Sequence, residues 1–253
     1  MIKIGIIGGS GLDDPQLLQQ AEDITNETPY GMPSSPVASG TINDVPVLIL
    51  ARHGRKHQFS PTQVNNRANI HALKELGATH IIATTACGSL KTEIERGDMI
   101  ILDQFIDFTK HRINTFHESF ENGINHALMA DPFDSKLRTL LFQTAQKLAY
   151  RVHEKGTVVT IEGPRFSTRA ESHMFRGFGA DVINMSTAPE VALAVEAEIP
   201  YAAVAMSTDY DCWKDDEPPM TWEEILAVFN DNAERVKKLI VETLTAIKET
   251  LNP

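Results

Sequence analysis

TVVTIEGPRFSTRAESHMFRGFGADVINMSTAPEVALAVEAEIPYAAVAM, residues 157–206, decides the fold. Three runs rich in apolar and β-branched residues, 157–161, 181–185 and 202–206, alternate with segments of helical spacing at 168–178 and 187–197. The runs are apolar at almost every position, which suits strands covered on both faces, and strand–helix alternation builds a largely parallel sheet. Thr168-Arg169-Ala170-Glu171 and Thr187-Ala188-Pro189-Glu190 both carry capping-box spacing, as does Thr221-Trp222-Glu223-Glu224. In such a box the Thr oxygen accepts the N3 amide proton and the Glu accepts that of the cap itself.

The pattern continues on both sides. Strands are predicted at 2–7, 47–51, 80–85 and 98–102, and helices at 61–76 and 134–149. Asn43-Asp44, between two β-like runs, predicts one antiparallel hairpin and so a mixed sheet. Trp222, Ile225, Phe229, Ala233, Val236, Ile240, Leu244, Ile247 and Leu251 recur at three- and four-residue spacing, the mark of a long amphipathic helix. The acidic, proline-ended stretch 215–219 reads as a loop and a candidate lid. With no repeat, low-complexity segment or linker, the expectation is one α/β domain over residues 1–253, its central mixed β-sheet flanked by helices.

The 253 residues hold 23 Lys plus Arg against 34 Asp plus Glu, a net charge of −11, with 42% hydrophobic residues. That balance suits a globular protein and argues against non-specific binding to nucleic acid or an acidic membrane surface. The two cysteines, Cys87 and Cys212, make neither a disulfide framework nor a zinc site alone. No stretch has the roughly 20 apolar residues of a membrane span, and the N-terminus lacks signal-peptide character. The expected location is the cytoplasm.

Polar clusters collect where predicted strands end, the place where α/β sheets bind ligands. Gly8-Gly9-Ser10-Gly11 follows the first strand and could seat an anion on backbone amides, or be an ordinary tight turn. It lacks the third glycine of the dinucleotide fingerprint and the Gly-Lys ending of the nucleotide phosphate loop. Arg52-His53-Gly54-Arg55-Lys56-His57 suggests an anion site or a solvated basic loop; a metal reading on His53 and His57 at i, i+4 is the weakest, since no carboxylate stands at ligand spacing. In Thr84-Thr85-Ala86-Cys87-Gly88-Ser89, small residues permit close ligand approach, and Cys87 is either a nucleophile or a buried inert thiol. Phe166 and Met185 could sandwich a flat ring or simply pack the core, with Ser167 and Ser186 nearby in sequence. Asp209 and Asp211, at i and i+2 on one strand, can converge on one ligand or form a solvated acidic loop.

Seven ordered blocks carry a more specific signal: Gly8–Leu12 as GGSGL, 52–57, 64–70 as VNNRANI, 85–90 as TACGSL, 162–172, Asn184-Met185 with Pro189-Glu190, and 209–214. Together they resemble the 5′-methylthioadenosine phosphorylases of the trimeric purine nucleoside phosphorylase family. The resemblance implies phosphorolysis of 5′-methylthioadenosine to adenine and 5-methylthioribose 1-phosphate, with no cofactor or metal, in a homotrimer. It further implies that Ser10, Arg52, His53, Thr85, Ala86 and Ser186 hold phosphate. Cys87, Gly88, Phe166, Ser167, Met185 and Trp222 would line the nucleoside, and Asp209 and Asp211 would face the purine edge as the catalytic pair. His126 with Met129-Ala130-Asp131-Pro132 is similar to a segment lent by a neighbouring subunit.

Chemistry agrees with those roles. Cleaving an N-glycosidic bond develops positive charge on the ribose, which bound phosphate counters, and negative charge on the purine, which an acid at N7 relieves. Asp209 serves there only as a neutral acid, which requires a raised pKa. A carboxylate at Asp211 accepts from a 6-amino group and repels a 6-oxo group. Trp222 stands where nucleoside-preferring cousins carry a 5′-hydroxyl-binding His, so an apolar 5′ substituent is favoured. Other possibilities are an adenosine or broad 6-aminopurine phosphorylase, a 5′-methylthioinosine phosphorylase, a water-using nucleosidase, a purine-binding module and a Cys87 hydrolase.

Overall fold

The structure, a computed structural model, describes residues 2–8, 17–121, 123–216 and 221–251, without the side chains of Trp222, Ile225, Leu226, Phe229 and Leu251. Ser10 with its glycine-rich turn, residues 217–219 of the acidic loop and the side chain of Trp222 thus lie outside the described residues.

In chain order the strands are β1 (Ile4–Gly8), β2 (Gln19–Ile24), β3 (Val37–Ile42), β4 (Val45–Ala51), β5 (His80–Ser89), β6 (Met99–Ile101), β7 (Gln104–Phe108), β8 (Val152–His153), β9 (Thr157–Ile161), β10 (Val182–Asn184) and β11 (Tyr201–Tyr210). The helices are α1 (Asn66–Glu75), α2 (Ser135–Lys147), α3 (Arg169–Gly177), α4 (Thr187–Glu196) and α5 (Trp222–Leu251). One mixed 11-stranded sheet runs β2-β3-β4-β1-β5-β10-β9-β7, with β11 also on β5 and leading to β6 and β8.

Alternation along the strands decides which residue meets which helix. Ile4, Ile6, Val47, Ile49, Ala202, Val204 and Met206 join the α2 and α5 residues Leu137, Leu141, Val236, Ile240, Leu244 and Ile247 in one cluster. Their neighbours Ile7, Leu48, Leu50, Tyr201, Ala203 and Ala205 pack with Ile70, Leu73, Val191 and Leu193 of α1 and α4 on the other face. Helices therefore cover both sides of the central strands, as the sequence pattern predicts.

The Asn43-Asp44 hairpin forms between β3 and β4, both residues having positive φ (49° and 60°), the conformation a tight two-residue hairpin requires. Helix 61–76 divides: Pro61–Gln63 makes a single 3₁₀ turn, and α1 begins only at Asn66 because the Asn65 side chain caps it by accepting from the Ala68 amide. The Thr168 box forms in full with Glu171, and Thr221 and Glu224 exchange the same pair of bonds.

The box at Thr187 does not form. Ser186 occupies the N-cap of α4 without a side-chain cap bond, Thr187 Oγ1 accepts from Asn184, and Glu190 is fully buried on Arg52. A buried guanidinium makes stronger, charge-assisted bonds than a helix amide and takes the carboxylate away from capping.

Candidate active site

Two irregularities in strand pairing create the site. The first lies along β5. Its residues 80–83 pair in parallel with β1, while Gly88 and Ser89 pair antiparallel with β10. Between these partners the edge at 84–87 has no ladder on that side among the described residues, and Thr84, Thr85, Ala86 and Cys87 line a cavity of about 850 Å³. The second is a β-bulge in β11: Ser207 pairs with Cys87 and Asp209 with Gly88, so Thr208 is the extra residue. One added residue moves Asp209, and with it Asp211, to the face that Met206 uses, and all three line the cavity.

At the basic end, β1 and β4 finish level, with Gly8 opposite Ala51, so Arg52 leaves beside the Ala83–Thr84 step of β5. Its guanidinium is buried: Nε and one terminal nitrogen grip Glu190 at 2.7 and 2.9 Å, and the other donates to the Thr84 carbonyl at 2.9 Å. Tyr201 donates its hydroxyl proton to the same Glu190 at 2.7 Å. Arg52 thus enters the cavity wall as a charge already balanced. His53 donates Nδ1–H to the Phe59 carbonyl at 2.9 Å, since a carbonyl can only accept. Burial and the Arg52 charge hold its pKa down to about 4, so near neutral pH its ring is uncharged. His57 stacks on it, with ring centroids 4.7 Å apart.

Thr85 and Ser186 bring their hydroxyl oxygens within 2.8 Å, tied together by the buried Asn184. Three residues further along β5, about 10 Å by strand rise, Gly88 faces the acidic pair. A Cβ on Gly88 would stand 3.2 Å from Ile183 and 3.6 Å from Asp209 Oδ2, so glycine keeps the room in front of that carboxyl. Burial raises the Asp209 pKa, partly opposed by a 2.7 Å bond from Thr208; the Asp211 charge raises it further. Ser167 donates to Asp211 at 2.8 Å, which keeps that neighbour a hydrogen-bonded acceptor. Phe166, Met185, Pro164, Phe59 and Ile161 make the apolar walls.

Every sequence-predicted site residue whose side chain is described therefore lines one cavity: Arg52, His53, Thr85, Ala86, Cys87, Gly88, Phe166, Ser167, Met185, Ser186, Asp209 and Asp211. Cys87 is buried, and burial plus the nearby Asp209 push its thiol well above the ordinary range, which removes the thiolate a nucleophile needs. Sequence reasoning missed Glu190, Tyr201, Asn184 and Thr208. Asn184 and Glu190 stand in one of the blocks that carry the resemblance but were given no role, and the capping-box spacing of Glu190 pointed elsewhere. Among the described residues no group of three or more His, Cys, Asp or Glu is placed to hold a metal.

A family model described as "Phosphorylase superfamily" matches residues 3–245. The chain belongs to the phosphorylase superfamily. Its relatives there include S-methyl-5′-thioadenosine phosphorylase of Danio rerio, 51% identical over 98% of this chain and 89% of that protein. The namesake enzyme of Thermofilum pendens is 48% identical over 98% and 93%. Among solved structures, methylthioadenosine phosphorylase from Schistosoma mansoni in complex with adenine superposes with a TM-score of 0.93, at 40% identity over 98% of this chain and 93% of that one. A mutant of that phosphorylase in complex with methylthioadenosine gives 0.90, at 40% identity over 98% and 92%. At this identity and coverage the chain is a phosphorylase of the S-methyl-5′-thioadenosine branch, a pentosyltransferase.

Proposed function

We propose that this phosphorylase cleaves 5′-methylthioadenosine with inorganic phosphate, releasing adenine and 5-methylthioribose 1-phosphate. One observation carries the reading: a single cavity joins a hydroxyl and arginine end to an acid pair whose inner member is held toward its neutral form. Phosphate sits on Arg52, His53, Thr85, the Ala86 backbone and Ser186, and the sequence resemblance assigns Ser10 to it as well. The nucleoside lies along Cys87, Gly88, Phe166, Ser167 and Met185, and the sequence resemblance assigns Trp222 to its 5′ group.

The phosphate oxygen attacks the anomeric carbon as the glycosidic bond breaks, and the electron pair of that bond leaves with the purine. Asp209 gives its proton to N7, so adenine departs neutral rather than as an anion. Asp211 accepts from the 6-amino group, selecting aminopurines over 6-oxopurines. Nucleoside and phosphate balance the reaction, so no cofactor or metal is called upon.

The resemblance implies a homotrimer in which the segment with His126 is lent to a neighbouring subunit, and exposed Ile113, Phe120, Ile124 and Leu128 suit a contact there. Two free cysteines suit the cytoplasm, and among the described residues no helix is long and apolar enough to cross a membrane.

The test is adenine release from 5′-methylthioadenosine, adenosine and 5′-methylthioinosine, each with and without phosphate. Phosphate-dependent release from methylthioadenosine, far faster than from the inosine analogue, is the expected result. Phosphate-independent release would make the chain a nucleosidase, and preference for the inosine analogue would overturn the assignment of Asp211.

A further inference from the structure

We propose that Asn184 and Thr160 are positioning residues that fix the direction in which the phosphate-site hydroxyls present their protons. The inference rests on the reading of Thr85 and Ser186 as phosphate ligands and asks what makes two hydroxyls reliable donors. A hydroxyl both gives and accepts, so its sense is set by what lies behind it.

Behind these two lies a chain whose polarity is fixed at its far end by a backbone amide. Ala188 N–H donates to Thr160 Oγ1 at 3.1 Å. Having accepted there, Thr160 gives its own proton to Asn184 Oδ1 at 2.8 Å. The Ser186 amide approaches the same oxygen at 3.4 Å. Two donors on one side of the amide place its carbonyl toward Thr160 and its NH₂ toward the cavity hydroxyls. The NH₂ donates to Thr187 Oγ1 at 2.6 Å and Thr85 Oγ1 at 3.1 Å, with Ser186 Oγ at 3.5 Å.

Thr85 and Ser186 thus form a pair fed with a proton from behind, and the pair must hand one on. The acceptor now available is the Ala86 carbonyl, 3.0 Å from Thr85 Oγ1. An anion in the cavity is the stronger acceptor and takes that proton. A flipped Asn184 would instead present its carbonyl to the hydroxyls, draw their protons inward and turn lone pairs toward the phosphate. Thr160 prevents the flip. It is completely buried and does not line the cavity, so it reaches the hydroxyls only through the groups behind them, the Asn184 amide and the Ala188 N–H at the start of α4.

The experiment is steady-state kinetics with phosphate and methylthioadenosine varied separately, on wild type, Thr160→Val and Thr160→Ser. Valine removes one hydroxyl and adds no charge; serine keeps the hydroxyl. In T160V the phosphate KM is expected to rise about tenfold while the nucleoside KM stays within about twofold. In T160S both constants remain near wild type. An unchanged phosphate KM in T160V, or a parallel rise in both constants, overturns the proposal, because a merely structural role would not separate the two substrates.

If T160V fails to fold, Asn184→Asp decides. It keeps the shape and makes both side-chain oxygens acceptors, so the same split, larger in size, is expected, and an unchanged phosphate KM is fatal. Wild-type release without phosphate would defeat the phosphate reading itself. Phosphate-dependent wild type with an insensitive variant defeats only the positioning role.

Discussion

At the scale of single residues, the burial that suits Asp209 to the proposed role of acid also weakens the fold. Burial raises its pKa, so the native state resists the charge it must carry once the pH passes that value. Its contribution to folding is present in full below the unfolded value near 3.8 and is lost as pH rises through the raised native value. Asp209→Asn is therefore expected to lower adenine release by roughly 100-fold or more, yet to melt no lower than wild type above neutral pH. Thermal unfolding of both proteins from pH 5 to 9 checks this: the margin in favour of Asn should widen with pH, and a shrinking margin would count against a buried, reluctant acid. His53 runs in the opposite sense. Its native pKa of about 4 lies below the ordinary 6.5, so the unfolded chain binds the extra proton first. Stability should fall as pH drops from 6.5 toward 4, and His53→Asn should flatten that slope in urea melts.

At the scale of elements, what the sequence could reveal ends where pairing begins. The buried strands β1, β4, β5, β9 and β11 were legible because a strand covered on both faces has to be apolar throughout. The exposed edge strand β2, Gln19–Ile24, was not: it carries Gln, Gln, Glu and Asp and is held by backbone pairing to β3. Two-residue β8 is too short to carry a pattern. The site shows the same division. The residue types at Arg52, Thr85 and Asp209 could be read from strand ends, but the open edge at 84–87 and the bulge at Thr208 arise between strands and leave no mark on either. Nor could Thr187-Ala188-Pro189-Glu190 reveal that its Glu is claimed by an arginine 138 residues away. That claim makes α4 a clamp on β4. Glu190→Gln leaves the buried Arg52 charge uncompensated and is expected to cost roughly 3–5 kcal/mol of stability, measured by urea unfolding. Tyr201→Phe, which removes one neutral donor to the Glu190 carboxylate, should cost less, about 1.5–3 kcal/mol; a loss larger than that of Glu190→Gln would contradict a charge-dominated clamp.

At the scale of the whole molecule, the surface is unfinished. Ile113, Phe120, Ile124 and Leu128 are 50, 49, 76 and 88% exposed within one segment, and Phe166 at the cavity wall is 60% exposed. Scattered exposed apolar residues are ordinary, but a run of large ones within 16 positions marks a contact surface. The net charge of −11 keeps free chains apart, so association needs apolar area to outweigh that repulsion. The homotrimer proposed above, with this segment over the neighbour's cavity, would account for both the exposed run and the exposed Phe166. Light scattering should then give three times the 28.0 kDa chain mass. Leu128→Asp combined with Ile124→Asp alters side chains that touch little within their own subunit, so the circular dichroism of the fold should persist. The assembly should dissociate, and the nucleoside KM should rise more than the phosphate KM, because the proposed cover lies over the apolar side of the cavity and not over the Arg52, Thr85 and Ser186 end. A wild-type mass of one or two chains, or a dissociated variant with unaltered nucleoside KM, would show that each cavity is complete on its own.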